Sequence, residues 1–256
     1  MNIICCQLDI VWEDKGANLA KVQKLLAQAN PVAGSLVVLP EMFATGFSMN
    51  VTGICEGTPP EVELFVGETA RRQRVFLLAG VVNRGPDGRG RNEAVVFGPD
   101  GQLVARYAKI HPFSCGGETQ HYAAGSELAT FDWSGCRVAP FICYDLRFPE
   151  IFRSAVRRGT QLFAVIANWP AKREHHWVAL LQARAIENQA YVVGVNRCGS
   201  DPQQAYGGRS LVVDPQGQVV LDAGAGETVV SADVDLEALR AWRRDFPALR
   251  DMRWAN

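Results

Sequence analysis

Along the first third of the chain, apolar and polar positions follow two distinct patterns of spacing. Short apolar runs, which predict buried strands, occur at 3–8, 35–39 and 75–82. Between them, segments 17–29 and 60–74 carry apolar residues at the spacing of amphipathic helices. Strands that alternate with helices predict crossover connections and a largely buried sheet.

Two later segments, 95–104 and 211–220, each place Pro-x-Gly between apolar strands. This pattern is typical of a tight turn that joins the two strands of a hairpin. From the residues alone we favour the simple interpretation, that both are good turns. The alternative is that the chain consists of two similar halves, each with a sheet that ends in a hairpin.

The second half of the chain continues the alternation of strands and helices. Pro149 suits the first turn of one of these helices, because its missing N–H is not needed there. No linker or low-complexity tract interrupts the 256 residues, so a single domain over 1–256 is expected. The predicted strands are 137–142, 161–166 and 191–195, and the predicted helices are 149–158, 175–190 and 235–246.

Composition narrows the possible classes of function. Hydrophobic residues make up 48% of the chain, as in a globular protein, and the formal net charge is −1. No block of like charge offers a surface for nucleic acid or for an anionic membrane, so neither partner is expected. No apolar stretch is long enough to span a bilayer. The first apolar run is interrupted by Asp9, which predicts a buried strand and not a signal peptide.

Cysteine and histidine usage indicates the compartment and the cofactors. The seven cysteines are irregularly spaced, and an odd number argues against a disulfide framework. Reduced thiols in the cytoplasm are therefore expected. Neither an HExxH helix nor a Cys-x-x-Cys pair with metal-ligand spacing is present, so the sequence predicts no metal and no cofactor.

Three short segments place a reactive side chain, Glu41, Lys109 or Cys143, directly after an apolar run. Ligand sites in α/β proteins form at strand ends, so we expect these side chains to converge at the ends of adjacent strands. Each residue alone has an ordinary explanation, as a surface carboxylate, a solvated lysine or a core cysteine. The segments are Leu39 to Phe43, Tyr107 to His111, and Phe141 to Glu150.

Together, and in this order, the three segments resemble the three signatures of the nitrilase, or carbon–nitrogen hydrolase, superfamily. The resemblance covers nearly the whole chain, and it is strongest to the bacterial omega-amidases. The further segments that carry it are Pro40 to Phe47, His111-Pro112-Phe113, Gly117-Glu118, Ala167-Asn168-Trp169-Pro170, His176 to Tyr191, and Asn196 to Asp201.

The resemblance implies both a fold and an activity. The fold is α/β, an αββα four-layer sandwich of two packed sheets with outer helices. The activity is hydrolysis of a small-molecule amide by a cysteine through a thioester, and omega-amidases act on omega-monoamides such as 2-oxoglutaramate. The resemblance also implies a homodimer, for which the helices at 149–158 and 175–190 are the candidate interface.

Amide hydrolysis needs a nucleophile, a proton carrier and a stabiliser of the oxyanion. Cys143 would supply the thiolate, and the helix that Pro149 opens would lower its pKa. Glu41 would accept the thiol proton, pass it to the departing ammonia and then activate water. Lys109 and the backbone N–H of Tyr144 would hold the oxyanion.

The resemblance gives Glu118 the role of orienting Lys109 and the substrate amide. Without the resemblance, Glu118 is explained as an exposed loop acid. A Cys–His dyad that uses His111 or His121 is an alternative way to activate Cys143.

A short aliphatic substrate would fit a slot walled by Phe47, Tyr144 and Trp169. A carboxylate at its far end needs a cation, because burying an unpaired charge is costly. Arg147 is one candidate, although an ion pair with Asp145 or Glu150 explains it equally well. The other candidate cations are Lys172, Arg173 and His175.

Two further functions are compatible with parts of this pattern. The same residues could hydrolyse an N-carbamoyl compound, a nitrile or another small amide. A catalytically silent binding protein on the same fold is the alternative from a different class. The presence of Glu41, Lys109, Glu118 and Cys143 together argues against the silent protein.

Overall fold

The computed structural model describes residues 1–253. Strands and helices alternate through most of this range. The strands are β1 (Asn2–Gln7), β2 (Leu36–Val38), β3 (Phe76–Arg84), β4 (Gly90–Phe97), β5 (Leu103–Ala108), β6 (Phe131–Trp133), β7 (Cys136–Ile142), β8 (Leu162–Ala167), β9 (Tyr191–Asn196), β10 (Cys198–Ser200), β11 (Ala205–Gly207), β12 (Leu211–Val213), β13 (Val219–Asp222) and β14 (Thr228–Asp233). The α-helices are α1 (Lys15–Ala29), α2 (Val51–Ile54), α3 (Glu61–Gln73), α4 (Glu118–His121), α5 (Pro149–Arg157), α6 (Glu174–Asn188) and α7 (Leu236–Asp245).

The strands and helices predicted from the apolar pattern are present, with bounds within two residues of those expected. The pattern missed the short elements α2, α4, β10 and β11. It also missed β6 and β14, which pair antiparallel with β7 and β1. β14 is an edge strand whose residues are half-buried or exposed. Such a strand lacks the continuous apolar run by which the buried strands are recognised.

The two six-stranded sheets have the same pattern of parallel and antiparallel pairing, although the edge strand β14 of the first comes late in the chain and the edge strand β6 of the second directly precedes β7. Their strand orders are β14-β1-β2-β3-β4-β5 and β6-β7-β8-β9-β12-β13. In the first, β1, β2 and β3 are parallel, and β4 and β5 add an antiparallel hairpin. In the second, β7, β8 and β9 are parallel, and β12 and β13 add the corresponding hairpin. Each Pro-x-Gly hairpin thus forms the edge of its own sheet, which supports two similar halves over unrelated turns.

The core lies in layers on both sides of the first sheet. Ile3 and Cys5 on β1 face the second sheet and share a core with Phe141 on β7. Ile4 and Cys6 face the other way and pack in a separate cluster with residues of α1 and α3. Helices α5 and α6 contribute to the core on the second sheet, where α6 contacts β9 and β12. The predicted αββα four-layer sandwich is confirmed.

Two further observations concern membrane-spanning helices and the state of the cysteines. Within residues 1–253, no helix has both the length and the apolar character needed to cross a bilayer. All seven cysteines lie in this range, and each is a free thiol.

Candidate active site

Glu41 lies just beyond β2, in a segment that hydrogen-bonds along β3, and its side chain is fully buried. Gly80 on β3 makes this close approach possible. A Cβ atom at Gly80 would lie 2.5 Å from the backbone nitrogen of Met42 and 2.6 Å from the Cα of Glu41. Met42 itself adopts a left-handed backbone conformation with φ of 44°. The lack of a side chain at position 80 therefore allows Glu41 to turn inward.

Lys109 joins two carboxylates in the interior of the protein. Its Nζ donates to Oε1 of Glu41 at 2.8 Å and to Oε2 of Glu118 at 2.9 Å. All three side chains are at most 1% exposed. Glu118, the first residue of α4, also accepts a hydrogen bond from the backbone N–H of Phe113. The explanation of Glu118 as an exposed loop acid is therefore wrong.

Asn92, near the start of β4, belongs to the same cluster and was missed from the sequence. Its Nδ2 donates to Oε1 of Glu41 at 2.7 Å and to Oε1 of Glu118 at 2.8 Å. Its backbone oxygen accepts from the backbone N–H of Lys109 at 2.9 Å. Asn92 stands between Arg91 and Glu93 in the polar first half of β4, so no local pattern indicated that this amide is buried.

Cys143 follows β7 and begins a short 3₁₀-helix, Cys143–Arg147. Its φ of 47° lies in the left-handed region, a conformation that cysteine rarely adopts and that often marks functional turns. The sulfur lies 3.9 Å from the backbone oxygen of Asn168. The backbone N–H of Asn168 donates to Oε2 of Glu41 at 2.8 Å. Asn168, directly after β8, therefore links the thiol of the second sheet to the carboxylate of the first.

The expectation that these residues follow adjacent strands is wrong. β3 and β4 lie between β2, which precedes Glu41, and β5, which precedes Lys109. Cys143 follows β7, in the other sheet. The residues converge because Glu41 turns across β3 at Gly80, and because the two sheets pack face to face.

Burial raises the pKa of the Cys143 thiol well above its ordinary value. The charge of Glu41 raises this pKa further, and the charge of Lys109 opposes the rise only in part. The expected lowering by a helix N-terminus is wrong, since the helix that Pro149 opens begins six residues after Cys143. The thiol is consequently protonated at neutral pH.

The charged neighbours of Cys143 are ionised. Burial acts to raise the pKa of Glu41, but the charge of Lys109 and the hydrogen bonds to the carboxylate bring it below its ordinary value. Burial acts to lower the pKa of Lys109, but Glu118 and Glu41 raise it above its ordinary value. A carboxylate beside a protonated thiol can accept a proton, whereas an ammonium group cannot.

A cavity of about 380 Å³ opens over Cys143. This volume includes space that is open to solvent, so the part that the protein encloses is smaller. The four residues predicted to bind substrate, Phe47, Tyr144, Arg147 and Trp169, all line it. The other lining residues are Lys109, Phe113, Asn168, Pro170, Arg173 and Gln204.

Two of the four candidate cations line this cavity, Arg147 and Arg173. Lys172 lies in an adjoining outer recess that shares Arg173 with the cavity. His175 is exposed, and its ring packs edge-on against His176. Of the four cations considered for the substrate carboxylate, only the two arginines therefore line the cavity itself.

Arg147 is not engaged in either ion pair that the sequence suggested. Within residues 1–253 it forms no salt bridge with Asp145 or Glu150. Its guanidinium lies 4.8 Å over the ring of Trp169 and 3.2 Å from Nδ1 of His176. The guanidinium is therefore held at the cavity wall by neutral partners.

The histidines are not placed to activate Cys143. Nδ1 of His111 lies 2.9 Å from Oδ1 of Asp145, and its ring stacks on Phe148 at 3.8 Å. His121 is exposed at the end of α4. Within the described range 1–253, no group of three His, Cys, Asp or Glu side chains is arranged to hold a metal ion.

Comparison with known proteins identifies the family. The sequence model of the carbon–nitrogen hydrolase family matches residues 3–244. Omega-amidase YafV of Yersinia enterocolitica is 39% identical over 98% of this chain and 96% of its own length. The 2-oxoglutaramate amidase of Bacillus subtilis is 32% identical over 98% of this chain and 97% of its own length.

Comparison with a solved structure identifies the same family. The crystal structure of XC1258 from Xanthomonas campestris is that of a CN-hydrolase superfamily protein with an arsenic adduct in its active site. It superposes with a TM-score of 0.93 and 35% identity, covering 100% of this chain and 98% of that one. The chain therefore belongs to the carbon–nitrogen hydrolase family and is a hydrolase of carbon–nitrogen bonds other than peptide bonds.

Proposed function

We propose that the protein is an omega-amidase, which hydrolyses a small linear omega-amide such as 2-oxoglutaramate to the carboxylic acid and ammonia. The observation that carries this proposal is a single narrow cavity whose lining includes both the thiol of Cys143 and two arginines, Arg147 and Arg173. A thiol beside a buried carboxylate suits attack on an amide, and arginines suit a substrate carboxylate. The omega-amidase of Yersinia enterocolitica is 39% identical to this chain.

Acylation begins when the sulfur of Cys143 attacks the amide carbon and its proton moves to Glu41. The resulting oxyanion would be held by Lys109 and by the backbone N–H of Tyr144, the second residue of the 3₁₀-helix. One such donor contributes about 2.7–4 kcal/mol to stabilisation of the transition state. Glu41 then gives its proton to the nitrogen, the carbon–nitrogen bond breaks, and ammonia leaves a thioester on Cys143.

Deacylation reverses the direction of proton transfer. Glu41 accepts a proton from water as the water oxygen attacks the thioester carbon. The carbon–sulfur bond breaks, the proton returns to the sulfur, and the carboxylic acid is released. Because Cys143 is protonated at rest, Glu41 acts as a base only when a substrate or water is being attacked.

Glu118 orients rather than reacts in this scheme. Both of its oxygens lie within 3.1 Å of Nζ of Lys109. It therefore holds the ammonium group in the direction of the cavity and balances its charge. In this scheme Lys109 stays protonated between Glu41 and Glu118, and Glu41 is the carboxylate that exchanges a proton with Cys143.

Arg147 and Arg173 would hold the far carboxylate of the substrate, while Phe47, Tyr144 and Trp169 wall the aliphatic chain. A hydrogen bond to a charged group contributes about 1.5–3 kcal/mol. Loss of the carboxylate should therefore lower kcat/KM by roughly one to two decades.

The substrate test compares 2-oxoglutaramate with a neutral amide of the same length and with a carbamoyl amino acid, by ammonia release. Similar kcat/KM for the acid and the neutral amide would rule out the carboxylate pocket. Faster turnover of the carbamoyl compound would assign the protein to N-carbamoyl hydrolysis, with the catalytic residues unchanged.

The nucleophile is tested by Cys143→Ala, which should abolish hydrolysis and leave the fold intact, because the sulfur forms the bond to carbon. Cys136→Ala and Cys198→Ala are the matched controls, since both cysteines are buried and outside the cavity lining. They should keep most of the activity. Equal loss in all three variants would show that the effect is structural.

We also propose that the protein works as a cytoplasmic homodimer that packs α5 and α6 across a two-fold axis. Ile186 on α6 is 55% exposed, and the free thiols suit a reducing compartment. Sedimentation at micromolar concentration should give twice the mass of one chain. A fully active monomer under these conditions would contradict the dimer.

A further inference from the structure

The buried cluster around Lys109 carries more negative than positive charge. Two carboxylates, Glu41 and Glu118, share one ammonium group, and all three are at most 1% exposed. Like charges in a buried site disfavour joint ionisation, and one of two neighbouring carboxylates usually takes up a proton. A protonated Glu41 could not accept the proton of Cys143. The cluster therefore needs donors besides Lys109, and the backbone N–H groups of Asn168 and Phe113 each reach only one of the two carboxylates.

Asn92 is placed to donate to both carboxylates. Its Nδ2 has two hydrogens and lies 2.7 Å from Oε1 of Glu41 and 2.8 Å from Oε1 of Glu118. Nζ of Lys109 contacts the same two oxygens, at 2.8 Å and 3.1 Å. Two donors, one charged and one neutral, thus link the same pair of carboxylates.

The orientation of the Asn92 amide follows from its surroundings. Turning the amide over would point Oδ1 at two carboxylate oxygens, which offer no hydrogen. With Nδ2 facing the carboxylates, Oδ1 is buried without a hydrogen-bond partner in residues 1–253. An unpaired buried oxygen costs free energy, so a side chain that merely filled space would be better apolar.

We propose that Asn92 is a positioning residue, whose amide holds Glu41 and Glu118 as two carboxylates beside one ammonium group and so keeps Glu41 able to accept the proton of Cys143. This inference rests on the proposed function. Asn92 is 2% exposed and is not part of the cavity lining described for residues 1–253, so it acts through Glu41 and not on the substrate. Its backbone oxygen also accepts a hydrogen bond from the backbone N–H of Lys109 and so fixes the backbone from which the Lys109 side chain extends.

The chain contains a matched control for this amide. Nδ2 of Asn83 on β3 also bridges two carboxylates, those of Glu63 and Glu93, each at 2.7 Å. These carboxylates share Arg106 as their cation. The Asn83 cluster does not contribute to the lining of the cavity in the described part of the chain.

The test is the pH dependence of kcat/KM for ammonia release from 2-oxoglutaramate in Asn92→Leu and Asn83→Leu. Asn92→Leu should move the acid limb upward by about one to two pH units, because Glu41 loses a hydrogen bond to its ionised form. KM should change little, and activity should recover toward the wild-type level at higher pH. Asn83→Leu should keep the wild-type profile.

A second readout makes the inference independent of the substrate. The rate at which iodoacetamide alkylates Cys143, followed by peptide mass spectrometry, should show the same upward shift in Asn92→Leu. If wild-type protein hydrolyses no omega-amide, the proposed function fails, and the alkylation profile still decides the role of Asn92.

Two results would overturn the inference. One is an acid limb in Asn92→Leu that coincides with wild type in both readouts. The other is an equal shift in Asn83→Leu, which would show a general electrostatic effect. If Asn92→Leu does not fold, Asn92→Ser, which keeps one donor, should show a smaller shift in the same direction, and an unshifted profile in that variant also overturns the inference.

Discussion

Two clusters of the same composition lie on the first sheet, and they differ in their access to solvent. Each consists of two glutamates, one cation and one asparagine that bridges the carboxylates. Asn92 and Glu93 are neighbours on β4, so their side chains point to opposite faces of the sheet. The inner cluster is Glu41, Glu118, Lys109 and Asn92, and the outer cluster is Glu63, Glu93, Arg106 and Asn83.

The two clusters differ in how far their side chains are exposed, and this difference determines the role that each can have. The side chain of Arg106 is 34% exposed, whereas that of Lys109 is 1% exposed. Water reaches the outer cation but only a small part of Glu63 and Glu93, whose side chains are 12% and 11% exposed, so the outer charges are partly screened and their attraction contributes less to stability than that of the inner charges. The inner charges interact in a medium of low dielectric constant, where both their attraction and the cost of leaving one unpaired are large. The inner cluster can therefore fix protonation states beside Cys143, and the outer cluster mainly ties α3 to the sheet.

The largest difference should appear in catalysis. Glu41→Gln removes the proposed proton carrier while keeping the shape of the side chain, and kcat/KM should fall by about 10²–10⁴-fold. Glu63→Gln makes the same change in the outer cluster and should leave kcat/KM within about twofold of wild type. Ammonia release at pH 7 measures both variants. Comparable losses in the two variants would show that the base is not Glu41.

A second difference should appear in the free energy of unfolding. Lys109→Met leaves two buried carboxylates without their cation, and loss of one partner of a buried pair costs about 3–5 kcal/mol. Arg106→Met leaves two carboxylates that are 12% and 11% exposed, and it should cost less than Lys109→Met because water reaches the outer cluster in part. Urea unfolding followed by circular dichroism measures both. A cost for Arg106→Met that equals that of Lys109→Met would contradict the difference in screening.

Three residues of the site were predicted from their positions after strands together with the order in which their segments occur. Glu41, Lys109 and Cys143 each come after an apolar run, a local signal that needs no knowledge of sheet order. Glu118 was predicted only through the family resemblance, because a loop acid beside glycines carries no signal of burial. The alternation of strands and helices predicted an α/β protein with a largely buried sheet, but the four-layer sandwich was predicted only through the family resemblance.

Features that depend on distant packing were not predictable. Asn92 contacts Glu41 because β4 lies next to β3 and because Gly80 lets the chain turn inward there. The raised pKa of Cys143 likewise arises from burial between two sheets and not from the helix nearby in sequence. The pattern of apolar and polar residues along one strand does not indicate which strands are its neighbours in the sheet. It also does not indicate how two sheets pack against each other.

The smallest expected effect is a pH dependence of the free energy of unfolding that arises from Glu63 in the outer cluster. Burial acts to raise the pKa of Glu63, but hydrogen bonds from Arg106 and Asn83 bring it below its ordinary value. An ionised carboxylate with a lowered pKa stabilises the fold above its unfolded pKa of about 4.3, and this contribution is lost as pH falls through the folded pKa.

The free energy of unfolding of wild type should therefore exceed that of Glu63→Gln by an amount that is constant from pH 8 to about pH 5 and shrinks below it. The difference should stay below about 1 kcal/mol, because solvent screens this cluster. Urea titrations at several pH values measure it, and the same comparison in an Arg106→Met background is the control. Without the guanidinium, the decrease of this difference at low pH should be lost, because the contacts of Arg106 that lower the pKa of Glu63 are gone while burial, which raises it, remains. A difference that grows as the pH falls would have the wrong sign for a carboxylate stabilised by a cation, and the description of the outer cluster as a weak, screened counterpart of the inner one would then be wrong.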